Sequence, residues 1–285
     1  SGITALLLAV AAAATAVGMV IAGGAYAPSP EGLPDAGQIV GWGLPVIRAL
    51  TDVAGVLTIG WLVCAAFLIP AGKDGTVTRG GKRQIRRAGY AAWAWAALAA
   101  VQAVFLLASV LGRSLADTLD PRVITTYIGE LPSTRALLVM ALLAAVIAIG
   151  CVLTTKIGAT AAWVVLALVA AALPALGGHN AGLGDHALAM TAGAAHIVAS
   201  MLWIGGLAAL AMSAQDKEVS LPRAVERFSP IALVCIVLLA ASGLANAYSR
   251  MDSLAQLFTT SYGLTVLAKV ILLGGLAALG GVMRQ

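Results

Sequence analysis

The chain has 285 residues, of which 61% are hydrophobic and 10% charged. A soluble domain carries roughly 25% charged residues, so this composition leaves too little polar surface to coat a water-facing globule. The net charge of +5 lies mostly in connections between apolar runs, where membrane topology explains it and nucleic-acid binding does not.

Crossing a hydrocarbon core of ~30 Å takes about 20 apolar residues. Eight runs qualify: Ile3–Ala25, Gly43–Pro70, Tyr90–Leu111, Arg135–Thr154, Ala159–Leu176, Ala187–Ser213, Pro230–Ser249 and Gly263–Met283. The prediction is an all-α, polytopic bundle in one transmembrane domain, residues 1–285. Alanine and glycine dominate several runs, and small residues let helix backbones approach closely. The first run ends in Gly23-Gly24-Ala25-Tyr26-Ala27, which looks like a leader-peptidase site. No basic stretch precedes it and it is long for a leader, so it reads as a membrane helix. The Leu111–Thr134 connection holds Pro121 and Pro132 with an apolar pattern between them. It predicts a short helix on the outer surface.

Orientation follows from Lys and Arg. Lys73, Arg79, Lys82, Arg83, Arg86, Arg87, Lys156, Lys217, Arg223, Arg227 and Arg284 fall on one side when eight runs are threaded. Only Arg113, Arg122, Arg135 and Arg250 fall opposite. The basic side is cytoplasmic and carries both termini, and the protein is assigned to the cytoplasmic membrane. The outer side is acidic, with Glu31, Asp35, Asp117, Asp120, Glu130, Asp185 and Asp252. That charge attracts cations or is ordinary loop solvation.

Ionisable groups inside membrane helices are costly and mark functional candidates. Arg48 and Asp52 sit four apart on one face of the second run. His196 lies near the midplane of the sixth, Lys269 about two turns into the eighth, and Asn246 near the outer end of the seventh. Two readings stand. One is an outward-opening polar funnel ending at His196. The other is a structural Arg48–Asp52 pair and a Lys269 that snorkels to the headgroups.

All three histidines lie within Gly177–Gly206. His179 and His186 occupy a Gly-rich connection at the outer mouth, and His196 lies deeper. Imidazole binds Zn, Cu, Fe and Ni, while thioether selects Cu(I). Met190 lies one turn below His186, so a His/Met path suits copper; methionine also simply packs. Asp185 stands where the N-cap of the sixth helix belongs, and a carboxylate there can also orient His186. Haem b is the alternative cofactor. His186 and His196 stand about 280° apart around a helix, which disfavours a stacked pair. Cys64, Cys151 and Cys235 all fall in the cytoplasmic half, as an exit site for a soft metal or as small packing groups. None forms a CxxC pair, so a disulfide framework is excluded. No Walker A, HExxH or GxSxG sequence occurs, and the chain is not read as an enzyme.

Two stretches resemble the copper-resistance D (CopD) family. One carries Gly178-His179 and His196, seven residues before Trp203-Ile204-Gly205-Gly206. The other carries Arg227-Phe228-Ser229, Ser242-Gly243, Asn246, Tyr262-Gly263 and Lys269. The second run, around Arg48–Pro70, matches more loosely. The resemblance implies copper binding from the outer side and transfer inward or to a partner. It sets residues 135–285 apart as a five-span CopD-like region after an N-terminal part, 1–134. It also implies a link, in some relatives, to a cytochrome-oxidase-assembly region. The implied partners are the lipid bilayer, the copper ion, and an oxidase-assembly domain or a periplasmic copper protein. The alternative function is an assembly scaffold for a respiratory oxidase.

Overall fold

A computed structural model describes Gly18, Pro34–Leu176, His186–Ala214, Asp216, Glu218–Tyr248, Met251, Ser253 and Ala255–Val282. The predicted first span, His179 and Asp185 lie outside the described residues, and of His186 only the backbone is described.

The protein is an all-α polytopic membrane protein. Its elements are α1 (Gly37–Val63), which passes into a π-helical turn (Cys64–Leu68), α2 (Arg79–Leu111), α3 (Leu115–Thr118), α4 (Pro121–Tyr127), α5 (Pro132–Leu153), α6 (Ile157–Leu176), α7 (His186–Ser213), α8 (Leu221–Tyr248), α9 (Gln256–Thr259) and α10 (Ser261–Val282). Among the described residues six helices are long and apolar enough to cross a membrane, and Ser261–Leu272 of α10 adds a shorter apolar run. They correspond to the second through eighth predicted spans.

Helix α2 begins at Arg79, well before the predicted Tyr90. Arginine and lysine are good helix formers, and the Thr78 side chain caps the helix by accepting from Gly81 N at 3.4 Å. The charged turns thus continue the membrane helix into the headgroup region. Helix α8 begins at Leu221 and runs through Pro230. The missing proline N–H is offset by burial of Phe228 and Cys235 on either side. The predicted outer surface helix is present as α4, with Asp120 accepting from Arg122 N at 2.8 Å and Pro121 in its first turn.

Helix α1 is the centre of the bundle. In its most apolar window 72% of residues are buried, against 22–39% in the other five long helices. It packs on α2, α6 and α7. Gly55 leaves the space that the fully buried Trp95 of α2 fills. Gly60 meets Gly205 of α7 so closely that a Cβ on either residue would run into the other's backbone. The next residue, Gly206, receives the ring of Phe228 from α8. The Trp203-Ile204-Gly205-Gly206 motif is therefore a packing device, where small residues bring backbones together.

The connections sort cleanly between two ends. At one end Val77 N donates to Thr155 O at 2.9 Å, and Arg83 meets Asp216 at 2.9 Å. These contacts join the α1–α2, α5–α6 and α7–α8 connections. At the other end Gly112, with φ +60, turns α2 against Pro34. The first end holds the basic cluster and is the inner end by the positive-inside rule.

Candidate metal site

The sixth predicted span, α7, carries His196 half-buried against α8. Its Nδ1 lies 3.0 Å from Ser242 Oγ. Ser242 Oγ also lies 2.6 Å from Leu238 O and 3.2 Å from Leu239 O. Carbonyl oxygens only accept, so the single hydroxyl proton points to Leu238. With that proton so directed, Ser242 Oγ is an acceptor for Nδ1, and in the tautomer protonated there the Nε2 lone pair is free. A ring held this way is ready to ligate a metal or take a proton, because the hydrogen bond at one nitrogen decides the role of the other. Ser242 is the positioning residue that reading the sequence for metal ligands missed. The sequence signal was weak, since a serine inside an apolar span can satisfy itself on its own preceding turn, as Ser242 does on Leu238 O.

Lys269 of α10 lies within Coulombic range of His196. The structure thus brings His196 and Ser242 together from α7 and α8, with the exposed Lys269 of α10 acting only through its charge. At the outer end of α8, the Asn246 carbonyl accepts from the Tyr262 hydroxyl of α10 at 3.5 Å. That contact ties α10 to α8 above the histidine.

Arg48 and Asp52 stand on another part of the bundle. Both are exposed on α1, within Coulombic range of each other. No ion pair forms between them within 4.0 Å among the described residues, so the reading of a structural Arg48–Asp52 pair has no direct contact behind it. Counting back from the Gly60–Gly205 crossing, Asp52 and His196 sit at about the same depth, near 13 Å outward at 1.5 Å per residue. His196 lies half a turn around α7 from Gly205, so its ring points away from α1.

Met190 is half-buried on α7 and stands about 120° around the helix from His196. Met201 is 7% exposed and belongs to the apolar core. The three thiols do not converge. Cys64 sits at the π-turn with its Sγ 3.9 Å from Ser213 Oγ. Cys151 backs against Gly89 of α2. Cys235 packs with Ala199 and Leu239 between α7 and α8. Among the described residues no three His, Cys, Asp or Glu side chains gather where they could hold a metal ion.

Residues 35–188, more than half of the chain, match the family described as copper resistance protein D-like, N-terminal domain. The chain belongs to the copper resistance protein D family. Residues 222–285, which include α8 and α10, match copper resistance protein D itself. The copper transport protein CutJ of Bacillus subtilis (strain 168) is 32% identical over 111 residues, covering 37% of this chain and 20% of that relative. The chain thus spans a fifth of the length of the curated relative it matches. No solved structure matches. By family, this copper resistance protein D relative is a copper-handling membrane protein. Its matched descriptions name copper and give haem no support.

Proposed function

We infer that the protein carries copper across the cytoplasmic membrane, or to a partner in it, by binding the ion from the outer side. The arrangement that supports this reading most directly is His196 held by Ser242, with Nε2 left free in a copper resistance family. His179 and His186, with Met190 as a soft auxiliary ligand, capture the ion at the outer mouth, and His196 is the inner ligand. Asp185 orients His186. Lys269 opposes a second positive charge beside His196 and so favours release over static storage. Asp52, Arg48 and Asn246 tune charge along the approach. The chain acts as a carrier and not as an enzyme. A periplasmic copper protein is the donor that suits an acidic outer face.

Copper per chain, measured on purified protein, tests the ligand assignment. His196→Ala is expected to lose copper while keeping its helical content. Equal copper in wild type, His179→Ala, His186→Ala and His196→Ala would overturn the assignment. Copper flux into vesicles then separates carriage from static binding.

A further inference from the structure

The inner ends of α2 and α5 leave a groove of about 440 Å³ between them. It owes its depth to Gly89. A Cβ there would lie 3.3 Å from Cys151 Cβ and 3.7 Å from Ala148 O, so glycine lets the two helices close at the floor. One wall is α2, where Lys82, Arg86, Gly89 and Trp93 recur at helical spacing. The other wall is the end of α5, where Val152 is 82% exposed.

The charges of this region divide in two. Arg79 and Arg83 reach the α7–α8 connection and pair with Glu218 and Asp216 at 3.7 and 2.9 Å. Arg87 donates to Gln84 at 3.2 Å. Lys82 and Arg86 reach the groove, and neither side chain has a hydrogen bond or ion pair among the described residues. They are one turn apart, so their cationic heads converge on one anion.

From Lys82 to Trp93 the groove rises by ~16 Å along α2. It therefore runs from the headgroup layer into the acyl layer. Its upper part is Trp93, 50% exposed, with Tyr90, 68% exposed, and Ala148 also lining it; Val152 stands lower, on the α5 wall opposite Arg86. Tyrosine and tryptophan belong at this interface. A free phosphate would satisfy only the lower part and leave the apolar walls empty. Basic pockets between helices on the cytoplasmic side suit anionic lipid headgroups.

We propose that this groove binds an anionic phospholipid of the cytoplasmic leaflet, its phosphate between Lys82 and Arg86 and an acyl chain along Trp93 and Val152. The site is separate from His196 and stands whether or not that residue ligates copper.

The test uses the full chain in phosphatidylcholine nanodiscs doped with phosphatidylglycerol, with bound lipid read by native mass spectrometry. The double variant Lys82→Gln/Arg86→Gln is expected to hold phosphatidylglycerol roughly 10–30-fold more weakly. Val152→Trp, which fills the groove from a lipid-facing position on the α5 wall opposite Arg86 without changing the charge, is expected to weaken it as well. Lys73→Gln/Arg223→Gln removes the same charge from the same face outside the groove and is expected to bind as wild type. The proposal is overturned if the Lys82/Arg86 variant binds normally. Equal weakening in the Lys73/Arg223 variant, or displacement of the lipid by millimolar inorganic phosphate, would overturn it too.

Discussion

The inner and outer ends of this bundle are built by different rules. At the inner end, connections hydrogen-bond to one another, Arg83 and Asp216 pair, and the helices meet at Gly60, Gly205 and Gly206. At the outer end, among the described residues, the ties are weaker: Gly112 resting on Pro34, and a long Tyr262–Asn246 hydrogen bond. Of the described candidate ligands on α7, His196 and Met190 lie on the outer side of the glycine crossing. The bundle is fixed at the inner end and more loosely joined where the proposed ligands stand. A soft cation must be met by ligands that can rearrange as water leaves, and rigid closure at that end would oppose it.

Substitutions at each end sharpen this contrast. Gly205→Leu drives a side chain into the α1 backbone, and we expect a loss of at least about 3 kcal/mol, read as a fall in melting temperature in detergent. Arg83→Ala leaves the nearly buried Asp216 carboxylate without its cation. The expected cost is about 2 kcal/mol, below that of a fully buried pair because the guanidinium is partly in water. Arg83→Ala/Asp216→Asn should recover much of that loss in the same melting assay. At the outer end, Ser242→Ala frees the His196 ring to rotate, and copper affinity should fall about tenfold with the melting temperature nearly unchanged. Thr78→Ala removes the α2 cap and is expected to cost about 1 kcal/mol or less, visible as faster hydrogen exchange over residues 79–82. An outer-end variant that melted as early as Gly205→Leu would break the contrast.

The bundle was legible in the sequence because lipid demands long apolar helices and leaves little else possible. The helix ends were not. Arg79–Arg87 reads as a loop by hydropathy, yet Thr78 and the helix preference of arginine make it helical. Pro230 reads as a boundary, yet packed residues on both sides carry the helix through it. His196 stood out because a midplane imidazole is costly. Ser242 did not, since serine in an apolar helix often just donates to its own preceding turn, and only the three-dimensional fold shows that it also accepts from His196. The cysteines shared a depth in the sequence, but depth is one coordinate of three. The structure places them at three separate helix contacts.

The glycine crossing also bears on how the protein is made. The two helices that meet there, Gly37–Leu68 and Met190–Ser213, are the least apolar of the six long ones, each with a mean hydropathy of 1.8. Gly205 leaves the ribosome roughly 145 residues after Gly60, a delay on the order of 10 s at ordinary synthesis rates. Throughout that interval α1 sits in the bilayer with its glycine notch unfilled. Insertion machinery that retains early helices until later ones arrive would suit such a chain, and premature release would expose it to quality-control proteolysis.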